Sequence, residues 1–357
     1  MTGFEHLAPL GFDERVRALV ATHPGGLTPG RVVRADRGFV FVGTGAEVVL
    51  ARPAVRLLKT ADDGGLPVAG DWVLLGGDES EPLVEEVLPR FTAITRRDPG
   101  QATRVQVLAA NVDDVLITHP LAEAPNLARI ERELALVWDS GARPVLVLTK
   151  VDLSPDLEAA IADASAVAPG VAVHATSAVT GEGVEDLRQY LLGGATIAFI
   201  GPSGSGKSTL VNRLAGEDLR ATREVRVSDG RGRHTTVSRE LVTLPGGGLV
   251  IDTPGLRAVG MWDSAEGLDQ AFADIAELAV DCRFRDCRHD GEPGCAVEAA
   301  VAAGELPERR LASYRELQSE VRHVTEQIDV HARLERKAGD KRLARTIKRF
   351  YRDGGKR

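Results

Sequence analysis

Gly201-Pro202-Ser203-Gly204-Ser205-Gly206-Lys207-Ser208, followed by Thr209, fits the spacing G-x-x-x-x-G-K-[ST] of a loop that wraps phosphate. Its glycines let the backbone turn tightly enough for N–H groups to converge on phosphate oxygens. Lys207 supplies a positive charge for the β- and γ-phosphates, where bond breaking occurs. Ser208 supplies a hydroxyl for Mg²⁺. The apolar run Thr196–Ile200 enters the loop and the stretch Lys207–Leu214 leaves it as a helix, whose positive dipole end also faces the phosphates. These residues read as a site for a nucleoside triphosphate with its magnesium ion.

Two further segments name the base. Asp252-Thr253-Pro254-Gly255 ends a second apolar run. Asp252 there is expected to reach Mg²⁺ through water, and Gly255 to bend toward a γ-phosphate. A transporter-type ATPase would place a second acidic residue after Asp252 and carry a Leu-Ser-Gly-Gly-type signature, and neither is present. Thr149-Lys150-Val151-Asp152 closes the run Pro144–Thr149. Guanine offers two adjacent donors, N1–H and N2–H₂, that one carboxylate accepts together, an arrangement adenine lacks. Asp152 is the candidate for that carboxylate, with the stem of Lys150 covering the ring. Thr176-Ser177-Ala178 follows another strand, and its backbone N–H suits guanine O6. GTP and GDP are therefore the expected ligands.

The order of these segments is unusual. The base-reading segments precede the phosphate loop, and the Asp-Thr-Pro-Gly segment comes last. Joining the old termini and reopening the chain elsewhere leaves every strand in its place. The chain thus reads as a circularly permuted α/β P-loop GTPase. Between the phosphate loop and Asp252 lies Gly230-Arg231-Gly232-Arg233-His234-Thr235-Thr236, which has no apolar periodicity. Thr235 or Thr236 is expected to close on Mg²⁺. Leu256 stands where many GTPases carry a catalytic glutamine. His234 is then a candidate to orient the attacking water, because an imidazole titrates near neutrality.

All three cysteines fall in Cys282-x4-Cys287-x-His289-x5-Cys295. Three thiolates and an imidazole complete a tetrahedral Zn²⁺ set without an open position, so one structural zinc per chain is expected. An odd number of cysteines suits disulfides poorly.

These residues need elements to position them. From about Val112 to Gly255 strand candidates (Asp114–Thr118, Pro144–Thr149, Val171–Ala175, Thr196–Ile200, Gly248–Ile251) alternate with helix candidates (Leu127–Trp138, Asp156–Ala166, Val184–Leu192, Lys207–Leu214). Such alternation implies a largely parallel sheet covered on both faces. Residues 31–98 carry Val-rich runs, Gly38–Val42, Glu47–Leu50 and Asp71–Leu75, between Gly and Asp clusters, the pattern of a small all-β barrel or sandwich. Residues 1–30 read as an extension with one short helix. The divisions expected are 1–30, 31–98, 99–261 for the GTPase, and 262–357 for a mainly helical zinc domain, with a separate core in each. The net charge is −8, yet Arg333–Arg357 holds eleven Lys and Arg against three Asp and Glu. An anionic partner is therefore expected to meet that tail locally, through residues such as Lys341, Arg342, Arg345, Lys348 and Arg349. With no long apolar run and no secretory pattern, no membrane partner is expected and the reading is cytoplasmic.

From about Gly30 onward the permuted motif order, the β-rich module and the Cys₃His spacing resemble the ribosome-small-subunit-dependent GTPase A (RsgA, or YjeQ) family. That resemblance implies that residues 31–98 are an OB-fold, a barrel often used on nucleic acids. It also implies a role in late maturation of the 30S subunit, contact with its rRNA, and GTP hydrolysis stimulated by the subunit. A monomer is expected. Thr149 departs from the family, whose motif usually begins with Asn, so weaker base binding is expected there. The family shares the apolar residue at Leu256. Two other classes compete: a P-loop ATPase or kinase with an accessory zinc domain, which Asp152 opposes, and an rRNA-binding protein with a non-hydrolysing site, which Lys207, Ser208 and Asp252 oppose.

Overall fold

The computed structural model describes residues 3–23, 25–60, 64–78, 80–98, 101–216, 239–252 and 266–326. His234, Thr235, Thr236, Gly255 and the basic tail lie outside them. Near the N-terminus β1 (Thr28–Asp36), β2 (Phe39–Gly43), β3 (Val48–Pro53), β4 (Trp72–Asp78) and β5 (Glu81–Val87) pair in the order β1–β2–β3–β5–β4, and β4 returns to β1. Only the β3–β5 pair is parallel. This closed, OB-like barrel packs Val32, Val40, Val42, Ala51, Val73, Leu75 and Val84 inside. Val40 and Val42 show the strand period of two, alternating with the less buried Phe39 and Phe41. The short helix α1 (Glu14–Ala21) begins at an Asp13 cap that accepts from Val16 N–H at 2.9 Å. Leu7, Phe12 and Val16 pack with Trp72, Leu74 and Leu88, so the first residues seal the barrel rather than trail from it. β1 also begins inside the expected extension.

A hairpin links barrel and sheet. β6 (Ala93–Asp98) and β7 (Gln101–Ala110) pair antiparallel as a separate two-stranded sheet, and the expected division at 98/99 falls between them. Next come β8 (Asp114–Pro120), β9 (Arg143–Thr149), β10 (Ala172–Thr176), β11 (Thr196–Ile200), β12 (Glu240–Thr243) and β13 (Leu249–Asp252). Their order is β10–β9–β8–β11–β13–β12, parallel throughout except at β12. A bulge between Val32 and Arg34 turns β1, and Arg34 pairs with Glu240, so barrel and GTPase sheet share a hydrogen-bonded seam.

The helices after α2 (Val55–Thr60) flank this sheet: α3 (Leu127–Asp139), α4 (Leu157–Ala166) and α5 (Lys207–Ala215). Val184–Leu192, expected as a helix, is instead 3₁₀ structure over Glu185–Gly194, with Leu192 extended and Gly193 and Gly194 left-handed. The C-terminal part is helical: α6 (Glu266–Ala271), α7 (Ala273–Ala279), α8 (Ala296–Ala303) and α9, residues 308–326. A Cβ on Gly267 would lie 2.3 Å from Ala135 O, so only glycine lets α6 pack this closely on α3.

Two buried arginines join the parts. Arg31, 2 % exposed, donates to Leu10 O at 2.7 Å, Gly70 O at 3.2 Å and Asn111 O at 2.9 Å. These carbonyls belong to the N-terminal segment, the barrel and the entry to the GTPase sheet. Burial pulls the Arg31 guanidinium down to about 10, against the opposing pull of Asp113 and Asp71. Arg310 on α9 bonds Glu131 of α3 at 2.9 Å and both carboxylate oxygens of Asp274, at 2.9 and 2.8 Å. Leu268, Phe272, Val297, Leu311 and Leu317 fall in one buried cluster with Ile117, Ile130 and Leu148. The separate cores expected for the GTPase and C-terminal divisions are therefore one cluster here, because α3 presents its apolar face to both parts, while the barrel keeps its own.

Removing Arg310 strands the fully buried Glu131, which keeps only Arg309, at 3.2 Å. Arg310→Ala should cost about 3 kcal/mol, the lower end for breaking a buried pair. Urea unfolding read separately by tryptophan emission and by far-UV circular dichroism checks this, and an unshifted midpoint would refute it.

Candidate functional site

The parallel strands β8, β9, β10, β11 and β13 end on one edge of the sheet, and each candidate segment leaves that edge. In a parallel sheet this is where ligands bind. Gly201 follows β11 with φ +132, and a Cβ there would lie 2.3 Å from Thr118 O. The loop therefore lies directly against the end of β8. Gly206 is left-handed and caps α5, whose first residue is Lys207. The Lys207 ammonium donates to Gly201 O at 2.8 Å, Pro202 O at 2.7 Å and Ser205 Oγ at 3.2 Å. It thus reaches back over the loop onto two of its carbonyls and one hydroxyl.

Ser205 is buried and doubly held. Its carbonyl accepts from the Thr149 hydroxyl at 2.6 Å, and its hydroxyl lies 2.7 Å from Thr118 Oγ1. Thr118 also donates to Ile200 O at 2.8 Å. Thr149 therefore ties the candidate base-reading segment to the phosphate loop. A hydroxyl suffices for this strut. Thr118 was missed by sequence reading, because a threonine ending an apolar strand carries no motif.

Lys150 follows in the left-handed region at φ 56, and Val151 is buried. That turn leaves Asp152 exposed beside the loop. After β10, Ser177 is buried and its N–H donates to Glu182 O at 3.0 Å. Ser177 O accepts from Gly181 N–H at 2.8 Å, and Ser177 Oγ accepts from Thr180 N–H. This closed turn holds Ala178 half-buried at its rim. Ser203, Gly204, Ser208 and Thr209 are exposed at the mouth of the phosphate loop. Asp252 ends β13, the strand beside β11, and so reaches the same edge.

The second site lies in the C-terminal part. One ligand atom from each of Cys282, Cys287, His289 and Cys295 lies within 4.8 Å of the others. Cys282 Sγ is 3.6 Å from His289 Nδ1 and 4.0 Å from Cys295 Sγ, and His289 Nδ1 is 3.4 Å from Cys295 Sγ. A tetrahedron with metal–sulfur bonds of about 2.3 Å has edges of about 3.8 Å, so the set has the size a Zn²⁺ ion requires. Local structure builds it. Glu292 accepts from Arg288 N–H and Asp290 N–H, folding the loop, and His289 takes the left-handed region at φ 58. Cys295 caps α8, with its sulfur accepting from Glu298 N–H at 3.4 Å. Burial opposes ionisation of Cys282, but amide hydrogen bonds from Ala296 and Val297 draw its thiol below the ordinary value. Burial and the neighbouring sulfurs push Cys287 up to about 12. Three thiolates this close together would repel one another unless a cation lay between them, so the cluster is compatible with zinc.

Fold and site define a circularly permuted P-loop GTPase with an OB-like barrel in front and a helical Cys₃His part behind. The sequence profile of the RsgA GTPase family matches residues 87–262. The small ribosomal subunit biogenesis GTPase RsgA of Streptomyces coelicolor is 47 % identical over 333 residues, covering 92 % of this chain and 90 % of that protein. The crystal structure of YjeQ from Thermotoga maritima matches with a TM-score of 0.62 at 28 % identity, covering 83 % of this chain and 99 % of that one. YloQ, a circularly permuted GTPase, matches with a TM-score of 0.61 at 28 % identity, over 84 % of this chain and 97 % of that one. The chain belongs to the RsgA GTPase family.

Thr149→Val keeps the shape of the strut but leaves Ser205 O without its donor. A buried acceptor left unpaired costs about 1–3 kcal/mol. Affinity for GDP should therefore fall by about tenfold, with the bound-metal content of the chain unchanged. Titration with a fluorescent GDP analogue measures it, and wild-type affinity in the variant would dismiss the strut.

Proposed function

We propose that this chain is a GTP phosphohydrolase of small ribosomal subunit biogenesis, working in the cytoplasm, with turnover gated by the 30S subunit. One observation carries the reading: the ends of β9 and β10 and a phosphate loop share one sheet edge, in permuted order, between a closed barrel and a Cys₃His cluster. The family's relatives bear the name of that process.

In this reading Asp152 accepts from guanine N1–H and N2–H₂. Ala178 N–H, in the turn built by Ser177, donates to O6. Lys150 and Val151 flank the ring. Amides of Gly201, Pro202, Ser203, Gly204, Ser205 and Gly206 wrap the phosphates, with Lys207 on the β- and γ-oxygens and Thr209 beside Ser208. Bound Mg²⁺ supplies charge neutralisation on the phosphate oxygens. Ser208 would hold it directly, Asp252 through water, and Thr235 or Thr236 from the segment that precedes β12 in sequence. Gly255 would meet the γ-phosphate, and His234 would accept from the attacking water. Cys282, Cys287, His289 and Cys295 would hold one structural Zn²⁺.

The barrel and basic tail would bind rRNA, mostly through phosphate contacts, so binding should weaken steeply with salt. β12 follows the segment 230–236 in sequence and hydrogen-bonds to β1, so a partner docked on the barrel would act on the strand next to that segment. A misplacement of about 1 Å in a catalytic group costs about 10²-fold, which makes ordering by a partner an effective gate.

Phosphate release should be slow in free protein and rise on adding purified 30S subunits. Pelleting with subunits should differ between a non-hydrolysable GTP analogue and GDP, and decline across a KCl series. Equal pelleting in both states, with no rise in release, would sink the ribosomal assignment while leaving the nucleotide site standing.

The metal reading has its own check. Atomic emission should find close to one zinc per chain. Cys287→Ser should lose that metal and, because the C-terminal helices share a core with the GTPase sheet, lower the melting temperature of both together. Freshly purified protein without zinc would remove the assignment.

A further inference from the structure

The helix that begins at the phosphate loop also grips the turn assigned to guanine O6. Arg213, in the last turn of α5, donates from Nε to Ala178 O at 2.8 Å and from Nη2 to Val179 O at 3.1 Å. Two nitrogens of one planar fork on two consecutive carbonyls fix the orientation of that backbone, because a guanidinium cannot rotate one bond without disturbing the other. The other side of Ala178 is fixed as well, since Ser177 O accepts from Gly181 N–H at 2.8 Å. Gly183, whose Cβ would lie 2.1 Å from Ala175 O, lets the turn close back on β10. The peptide units on both sides of Ala178 are therefore held. Among the described residues its own N–H donates to no protein acceptor. Val179, 76 % exposed, contributes no core packing that would hold the turn instead.

We propose that Arg213 is a positioning residue for guanine recognition: it locks the Ala178–Val179 backbone to α5, so that the Ala178 N–H is aimed at the base O6 while the other end of the same helix holds the phosphates. The inference rests on the guanine-reading assignment above. It adds a residue that belongs to no nucleotide motif and links the base and phosphate ends of the ligand through one rigid element. A last-turn arginine also suits the negative end of a helix dipole. That preference does not place its fork on the carbonyls of a different segment, as it is here.

The experiment measures equilibrium binding of GDP, 6-thio-GDP and ADP, each with Mg²⁺, to the full chain as wild type, Arg213→Ala and Arg213→Lys. The sulfur analogue keeps both guanine donors and replaces O6 by a larger, weaker acceptor. Wild type should prefer GDP over 6-thio-GDP. Arg213→Ala should weaken GDP by about fivefold, the size of one neutral hydrogen bond, and 6-thio-GDP by less, so that the preference narrows. Arg213→Lys should recover part of it, since an ammonium can bond one carbonyl but does not reproduce the fork. Equal weakening of both ligands would make Arg213 a structural support only and overturn the proposal, as would an unchanged affinity for GDP. Wild-type protein that binds ADP as well as GDP would overturn the guanine assignment itself, a result separate from any effect of Arg213.

Discussion

Ser205 is the point from which the nucleotide site is hung. It sits inside the phosphate loop, fully buried, with its carbonyl on the Thr149 hydroxyl and its own hydroxyl against Thr118. A glycine-rich loop has many backbone states to lose, and ordering it is costly unless neighbours hold it. Here the neighbours are the ends of two strands, β8 and β9. The second of these runs directly into the candidate base-reading residues. The phosphate loop and the segment after β9 are thus referred to one another by hydrogen bonds shorter than 3 Å, and not merely by sharing a sheet.

That geometry depends on the strands ending together. In a parallel sheet the register of each pair sets where its loop emerges, and a slip of one residue would turn every side chain to the other face. Thr118 pairs with Val147, Thr176 pairs with Thr149, and Ile200 pairs with Ile117. The apolar content of these strands enforces that register. Val115, Leu116, Ile117, Leu146, Val147 and Leu148 are buried on both faces of the sheet. The core thus secures the alignment and the polar residues at the strand ends use it.

The parts outside the sheet are joined to it by desolvated charge. Arg31 gathers three segments through three carbonyls, and Arg310 holds α9 against α3 through Glu131. Each is nearly absent from the surface, so each would be costly to bury without those partners. The polar bonds specify which surfaces meet. The apolar cluster running from Ile117 through Ile130 to Leu317 supplies the burial that makes the meeting stable.

The motifs and their permuted order were legible because a phosphate loop and a Cys₃His cluster each depend on residue types at short, fixed spacings. Alternating apolar runs also marked every strand of the GTPase sheet except β12, a short strand beside the Gly- and Arg-rich segment. What the chain order could not carry was anything that depends on residues far apart. The β6–β7 hairpin, the seam between Arg34 and Glu240, the single core shared by α3 and the C-terminal helices, and the struts from Thr118 and Arg213 are all of that kind. Arg213 and Ala178 lie on opposite sides of the phosphate loop in sequence, and their contact follows only from α5 packing beside the end of β10. Sequence by itself determined the chemistry each segment can perform, because that chemistry is local. Tertiary structure decided which segments hold which in place, because a hydrogen bond between distant residues exists only once the sheet and its helices have brought them within about 3 Å.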